Sequence, residues 1–136
     1  MSMKKLDPNN VKLIVAGSRH MQQFSHHFID NAYNALVPKD WDYPMEVVSG
    51  GATGVDAAGE RWAHTLPAHV KKFPADWEKH GKAAGPKRNR QMALYGDALL
   101  LIWDGESKGS ANMKQEADNA GIPVFEVILK PPKRSL

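Results

Sequence analysis

Six consecutive apolar residues, Ala98-Leu99-Leu100-Leu101-Ile102-Trp103, stand between Asp97 and Asp104. A strand that is apolar at every position has no face to give to water, so it belongs in the middle of a parallel sheet covered on both sides. Parallel neighbours need crossover connections, and helices supply them. The rest of the chain should therefore alternate strand and helix. Residues 11–16, Val-Lys-Leu-Ile-Val-Ala, read as a buried strand stopped by Gly17-Ser18-Arg19. Phe24, Phe28, Ala32, Ala35 and Leu36 recur at helical spacing, predicting an amphipathic helix from about Met21 to Leu36 that Pro38 ends. Glu46-Val47-Val48-Ser49 is a short second strand. Val55, Ala58, Gly59, Trp62, Ala63 and Leu66 share one face of the next helix, closed by Pro67.

His69 to Phe73 reads as a third strand, and Pro74-Ala75-Asp76-Trp77 opens a long loop through Gly81, Gly85 and Pro86. A short helix is expected from Lys87 to Tyr95. After the apolar strand, a last helix spans about Ser110 to Ala120 with Met113, Ala117 and Ala120 inward, and Pro123 to Leu129 forms the final strand. The pattern predicts an α/β fold, an open and mostly parallel sheet of about five strands with helices on both faces. In such sheets ligands sit at the carboxyl ends of the strands, where Gly17-Ser18-Arg19, the turn after Ser49 and Asp104-Gly105 all fall.

The length of 136 residues fits one domain over residues 11–130, preceded by a polar lead at 1–10 and followed by a basic tail at 131–136. There are no cysteines, which excludes disulfides, thiolate nucleophiles and thiolate-held metals. The first residues lack the apolar stretch of a secretory signal and no later run reaches membrane-spanning length, so a cytoplasmic protein is expected. The net charge is only +3, yet Lys82, Lys87, Arg88 and Arg90 cluster, as do Lys130, Lys133 and Arg134. Clustered cations suit an anionic partner at 82–90, whereas the proline-flanked tail reads as a solvated end.

Ser49-Gly50-Gly51-Ala52-Thr53-Gly54 places small residues where a backbone bends tightly into a helix N-terminus, an arrangement that favours phosphate. It is neither the Rossmann glycine fingerprint nor the Walker sequence. Thr53 also fits a helix N-cap with Asp56 at the third position, a role that needs no ligand. Asp56 and Glu60 lie one helical turn apart, where carboxylates suit ribose hydroxyls; a solvated place serves Glu60 equally well. Arg19 leaves the first strand at the same edge of the sheet with a guanidinium fork suited to phosphate. Arg88 is a candidate to close over a ligand, and Asn89 to cap a helix or read a polar edge. Ser107-Lys108-Gly109-Ser110 before the last helix offers a second anion site or an ordinary cap. Trp77, beside Asp76, is placed to stack on a base, whereas Trp62 and Trp103 follow core patterns and Trp41 packs a loop. The six histidines show no metal-ligand spacing, so no metal is expected.

Taken in order, Val15-Ala16-Gly17-Ser18-Arg19, Ser49 to Asp56, Pro74-Ala75-Asp76-Trp77, Gly81-Lys82-Ala83-Ala84-Gly85-Pro86-Lys87-Arg88-Asn89 and Ser107-Lys108-Gly109-Ser110 resemble the YspA-like branch of the SLOG superfamily. The resemblance implies a Rossmann-like three-layer sandwich related to the LOG phosphoribohydrolases and to DprA, with a pocket for a nucleotide or a nucleotide-derived signal. It favours Arg88 and Asn89 over Arg90 as ligand contacts. The LOG motif Gly-Gly-x-Gly-Thr-x-x-Glu is not reproduced, since here Thr53 precedes Gly54 and Asp56 replaces the spaced Glu.

Three functions follow as expectations. The first is binding of a nucleotide or ADP-ribose-like molecule for sensing or sequestration, with no further cofactor, phosphate on Arg19 and the glycine turn, and ribose on Asp56. The second is N-glycosidic hydrolysis of a nucleotide with Asp56 or Glu60 as the catalytic carboxylate. The third is DprA-like nucleic-acid binding through the basic cluster. A homo-oligomer is expected from the superfamily.

Overall fold

A computed structural model describes residues 5–19 and 25–129. The expected first helical turn from Met21, including Phe24, lies outside the described residues, as does the basic tail from Lys130. Five strands form one sheet: β1 (Lys12–Gly17), β2 (Glu46–Ser49), β3 (His69–Lys72), β4 (Ala98–Trp103) and β5 (Val124–Ile128). Their order across the sheet is β3-β2-β1-β4-β5, and every pairing is parallel. All six residues of β4 are buried, as a strand between β1 and β5 with helices on both faces must be.

The period of two divides the strand residues between two cores. Leu13, Val15, Val47, Leu100 and Ile102 face helices α1 (His26–Leu36) and α2 (Val55–Thr65). Ile14, Ala16, Val48, Leu99, Leu101 and Trp103 face α4 (Ala84–Tyr95) and α5 (Lys108–Ala120). The expected three-layer α/β sandwich is thus the observed one.

Three local expectations are corrected. In α1 the buried residues are Ile29, Ala32 and Tyr33, while Leu36 is exposed. Tyr33 turns inward, where its ring lies 5.3 Å from that of Trp62 on α2 and 5.5 Å from that of Tyr43 in the loop after α1, an aromatic cluster that offers more buried area than Leu36 can. The long loop expected from Pro74 through Pro86 is largely helical: α3 spans Trp77–His80, a 3-10 turn spans Gly81–Ala83, and α4 already begins at Ala84. Pro86 sits in the first turn of α4, where its missing N–H has no acceptor to lose. Finally, α2 is capped by Gly54, not Thr53, with no side-chain bond, and Thr53 is exposed.

Candidate functional site

The sheet changes direction between β1 and β4: the chain winds one way from β1 to β2 and β3, and the other from β4 to β5. The carboxyl ends of these two strands therefore splay their following loops apart and leave a crevice. Gly17 ends β1 so close to its neighbour that a Cβ there would stand 1.8 Å from the Ile102 carbonyl oxygen. Ser18, buried, then braces three segments. Its N–H donates to Ile102 O at 3.1 Å, its carbonyl accepts from Val55 N at 3.4 Å, and its Oγ accepts from Asp104 N at 3.2 Å.

The glycine turn is held equally firmly. Gly54 takes φ 75°, and a Cβ on it would lie 2.4 Å from Ser18 O, so a larger residue meets both backbone strain and collision. Ser49 Oγ donates to Glu60 Oε2 at 2.6 Å and accepts from Gly51 N at 3.0 Å. Glu60 also pairs with Lys72 at 3.4 Å, which holds it beside β2 and β3. Asp56 is buried beneath the turn, where its Oδ2 accepts from Ala52 N at 3.3 Å. Burial raises its carboxyl from an ordinary 3.8 to about 6, against the lowering effects of the Ala52 amide and of Arg88 and Arg19.

Arg88 comes from α4 and is buried. Its Nη1 donates to Gly50 O at 2.6 Å and reaches Phe73 O at 3.5 Å, and its Nε donates to Asn89 Oδ1 at 3.0 Å. Desolvation lowers the guanidinium's pKa, and the Asp56 carboxylate opposes that. Arg88 thus fastens the glycine turn to α4 as well as facing the crevice. Asn89 lies inside α4, not at its cap, and its Nδ2 donates to Asn112 Oδ1 at 2.9 Å and to Gly109 O at 3.4 Å, tying α4 to α5.

These elements enclose a cavity of about 430 Å³. Of the residues singled out from sequence, Gly17, Arg19, Ala52, Asp56, Trp77, Arg88, Asn89, Ser107, Gly109 and Ser110 line it. A neighbouring cavity of about 560 Å³ is lined by Gly50, Gly51, Ala52 and Thr53 together with Lys72, and the two share Arg19, Ala52, Trp77 and Arg88 as a common wall. Trp77 is 51% exposed, and the Arg19 guanidinium carbon stands 5.9 Å from its ring centroid. Ser18, Ser49, Gly54 and Glu60 support the walls without lining them, and Asp76 is the N-cap of α3, accepting from Lys79 N at 3.0 Å.

Sequence reasoning did not place Lys82, Lys108, Asn112 or Met113 among the contacts, yet all four line the first cavity. The two lysines were visible within motifs. Asn112 and Met113 gave no signal beyond their place on an amphipathic helix. Arg19, Lys82, Arg88 and Lys108 surround the cavity with positive charge that Asp56 offsets in part, a field that draws an anion.

Residues 11–80 match the model of the YspA, cpYpsA-related SLOG family. The chain is also similar to the gene 61 protein of Mycobacterium phage D29, 40% identical over 95 residues that make up 65% of this chain and 76% of the phage protein. No solved structure matches. The ordered motifs of the crevice and the match over more than half of the chain agree: this protein belongs to the YspA, cpYpsA-related SLOG family.

Proposed function

We propose that the chain binds a nucleotide or a nucleotide-derived small molecule, ADP-ribose-like in shape, in the crevice at the carboxyl ends of β1 and β4. Family membership supports a nucleotide-related role. The observation that carries the reading is the cavity of about 430 Å³ at the point where the sheet reverses, ringed by Arg19, Lys82, Arg88 and Lys108 and bordered by the half-exposed ring of Trp77. Its size lies within the usual range of small-molecule sites, the cations suit phosphate, and the indole suits a base. Capture of this kind fits sensing or sequestration, by a homo-oligomer in a cytoplasmic setting.

Calorimetric titration of the full chain with adenosine 5′-monophosphate, adenosine diphosphate and ADP-ribose tests the proposal. Saturable binding of at least one, with little dependence on salt, is expected. Absence of binding to all three would overturn the proposal, and preferential, steeply salt-dependent binding to an oligonucleotide would support the nucleic-acid reading instead.

One observation favours N-glycosidic hydrolysis as a second reading. Asp56 lines the cavity with its carboxyl pushed up by burial to about 6, where a carboxyl is well matched to proton transfer. In that chemistry water adds to the anomeric carbon as the bond to the base breaks; Asp56 takes a proton from the water and the departing base nitrogen receives one, so that the products are the free sugar phosphate and the neutral base. Glu60 is committed to Ser49 and Lys72 and acts through their placement. Free base released from nucleoside monophosphates, lost in Asp56→Asn while binding persists, is the expected result. Tight binding without turnover would leave binding alone.

A further inference from the structure

The cavity of about 560 Å³ beside the proposed nucleotide site has as yet no part in the function. Its lining follows the ends of two strands: Gly50 to Thr53 come directly after β2, Lys72 closes β3, and Pro74 and Ala75 come after it. The cavity therefore lies at the carboxyl ends of β2 and β3, next to the crevice at β1 and β4. Arg19, Ala52, Trp77 and Arg88 line both cavities, so a molecule lodged in one meets the other across these side chains.

The two arginines at this divide are incompletely matched. Arg88 is 8% exposed. Its Nη1 and Nε are occupied by Gly50 O, Phe73 O and Asn89 Oδ1, which leaves Nη2 without a partner among the described residues. Ser107 Oγ is the one fully buried side-chain nitrogen or oxygen there that lacks a partner, so Arg88 Nη2 is accessible, and the space that Arg88 lines is that of the two cavities. The Arg19 guanidinium makes no hydrogen bond or ion pair among the described residues; its contact is the face of the Trp77 ring. The two cations also bear on each other. Burial lowers the Arg88 pKa most, the Asp56 carboxylate raises it, and the Arg19 charge lowers it again. Asp56 feels both guanidiniums and is ion-paired with neither. An anion between the arginines relieves their repulsion and takes up the free donor of the buried one.

We infer that the ligand spans both cavities: it is a diphosphate esterified at both ends, with its bridge on Arg19 and Arg88, its nucleoside in the first cavity and a second, hydroxyl-bearing lobe in the other. Two charges on the bridge match two guanidiniums. Ala16, Pro86 and Met113 give the first cavity apolar surface for a base beside Trp77, whereas Thr53 and Lys72 give the second a hydroxyl and an ammonium group that suit a polyol. The inference rests on the nucleotide-binding reading of the first cavity and narrows it, since a nucleoside mono- or diphosphate would leave the second cavity unfilled.

Calorimetric titration of the full chain with adenosine diphosphate and with ADP-ribose isolates the second lobe, because the two share the nucleoside and both phosphates. ADP-ribose is expected to bind at least about tenfold more tightly, although adenosine diphosphate carries the larger negative charge and a purely ionic site would rank them the other way. In the ¹⁵N-labelled full chain, the amides of Thr53 and Ala75 are expected to move with ADP-ribose and to stay in place with adenosine diphosphate. Ala75→Trp, which puts an indole into the second cavity, should narrow the difference in affinity to about twofold or less. If that variant does not fold, the two measurements on the native chain decide. Equal or tighter binding of adenosine diphosphate, the same Thr53 and Ala75 shifts with both ligands, or a difference that survives in folded Ala75→Trp would each overturn the inference and leave nucleotide binding in place. No response to either ligand would overturn the nucleotide reading and this inference with it.

Discussion

Replacing Asp56 by Asn should stabilise the protein at neutral pH and abolish a specific pH dependence. The carboxyl is 5% exposed, and burial is the main cause of its rise from 3.8 to about 6. An unfolded chain returns it to the ordinary value, so the folded protein holds the proton more tightly. Its contribution to stability is therefore complete below about pH 4 and is lost as pH rises through about 6. A gap of about two pKa units corresponds to about 3 kcal/mol, paid by the native state at neutral pH for keeping an ionised carboxylate out of water. Asn keeps an oxygen for the Ala52 N–H and carries no charge, so the variant lacks the penalty. Urea denaturation of both proteins from about pH 4 to about pH 8 isolates the effect, because every other carboxyl group cancels in the difference. The stability of the native chain relative to Asp56→Asn should fall by about 3 kcal/mol between about pH 4 and about pH 7 and then level off. Parallel curves, or a native chain that gains on the variant as pH rises, would show that Arg88 and Arg19 outweigh desolvation and that the reasoning is wrong.

Gly54→Ala puts a Cβ 2.4 Å from Ser18 O on a residue with φ 75°, and it should lower stability by at least about 2 kcal/mol, read as a melting temperature several degrees lower. Arg88→Ala removes the donor to the Gly50 carbonyl and should destabilise by about 2 kcal/mol; Arg88→Lys, lacking the fork that serves Gly50, Phe73 and Asn89 together, should recover little of it in the same urea assay. Trp77→Ala should weaken nucleotide binding by about tenfold, and since Trp62 and Trp103 are buried, it should also remove most of the ligand-induced change in tryptophan fluorescence.

The fold was legible because parallel strands announce themselves as apolar runs. Ala98 to Trp103 is buried throughout, and the alternation around it left one architecture open. The order β3-β2-β1-β4-β5 was not legible, since it depends on which side each crossover takes. The segment after Asp76 misled for a definite reason. Gly81, Gly85 and Pro86 look like loop punctuation, but Gly85 lets the Trp77 ring approach, to 3.3 Å from where a Cβ would stand, and Pro86 fits a first helical turn. In the crevice, Arg19 and Trp77 could be named from their neighbours in sequence. The engagement of the glycine-turn amides by Asp56 and Ser49 could not, nor could the grip of Arg88 on Gly50 across 38 residues, because both depend on where side chains go once helices pack. The pairing of Asn89 with Asn112 belongs to the same class.

Mass spectrometry of the small molecules released on denaturing the purified protein, beside a Gly109→Phe variant, bears most directly on the pocket. Gly109 lines the cavity with open space where its Cβ would be, so the introduced ring is expected to stand in the mouth without disturbing α5. The native chain should release a phosphorylated nucleotide or nucleotide derivative in stoichiometric amount, and Gly109→Phe should release little or none. Release of no such molecule by the native chain, or of the same amount by both proteins, would contradict a nucleotide pocket at the carboxyl ends of β1 and β4.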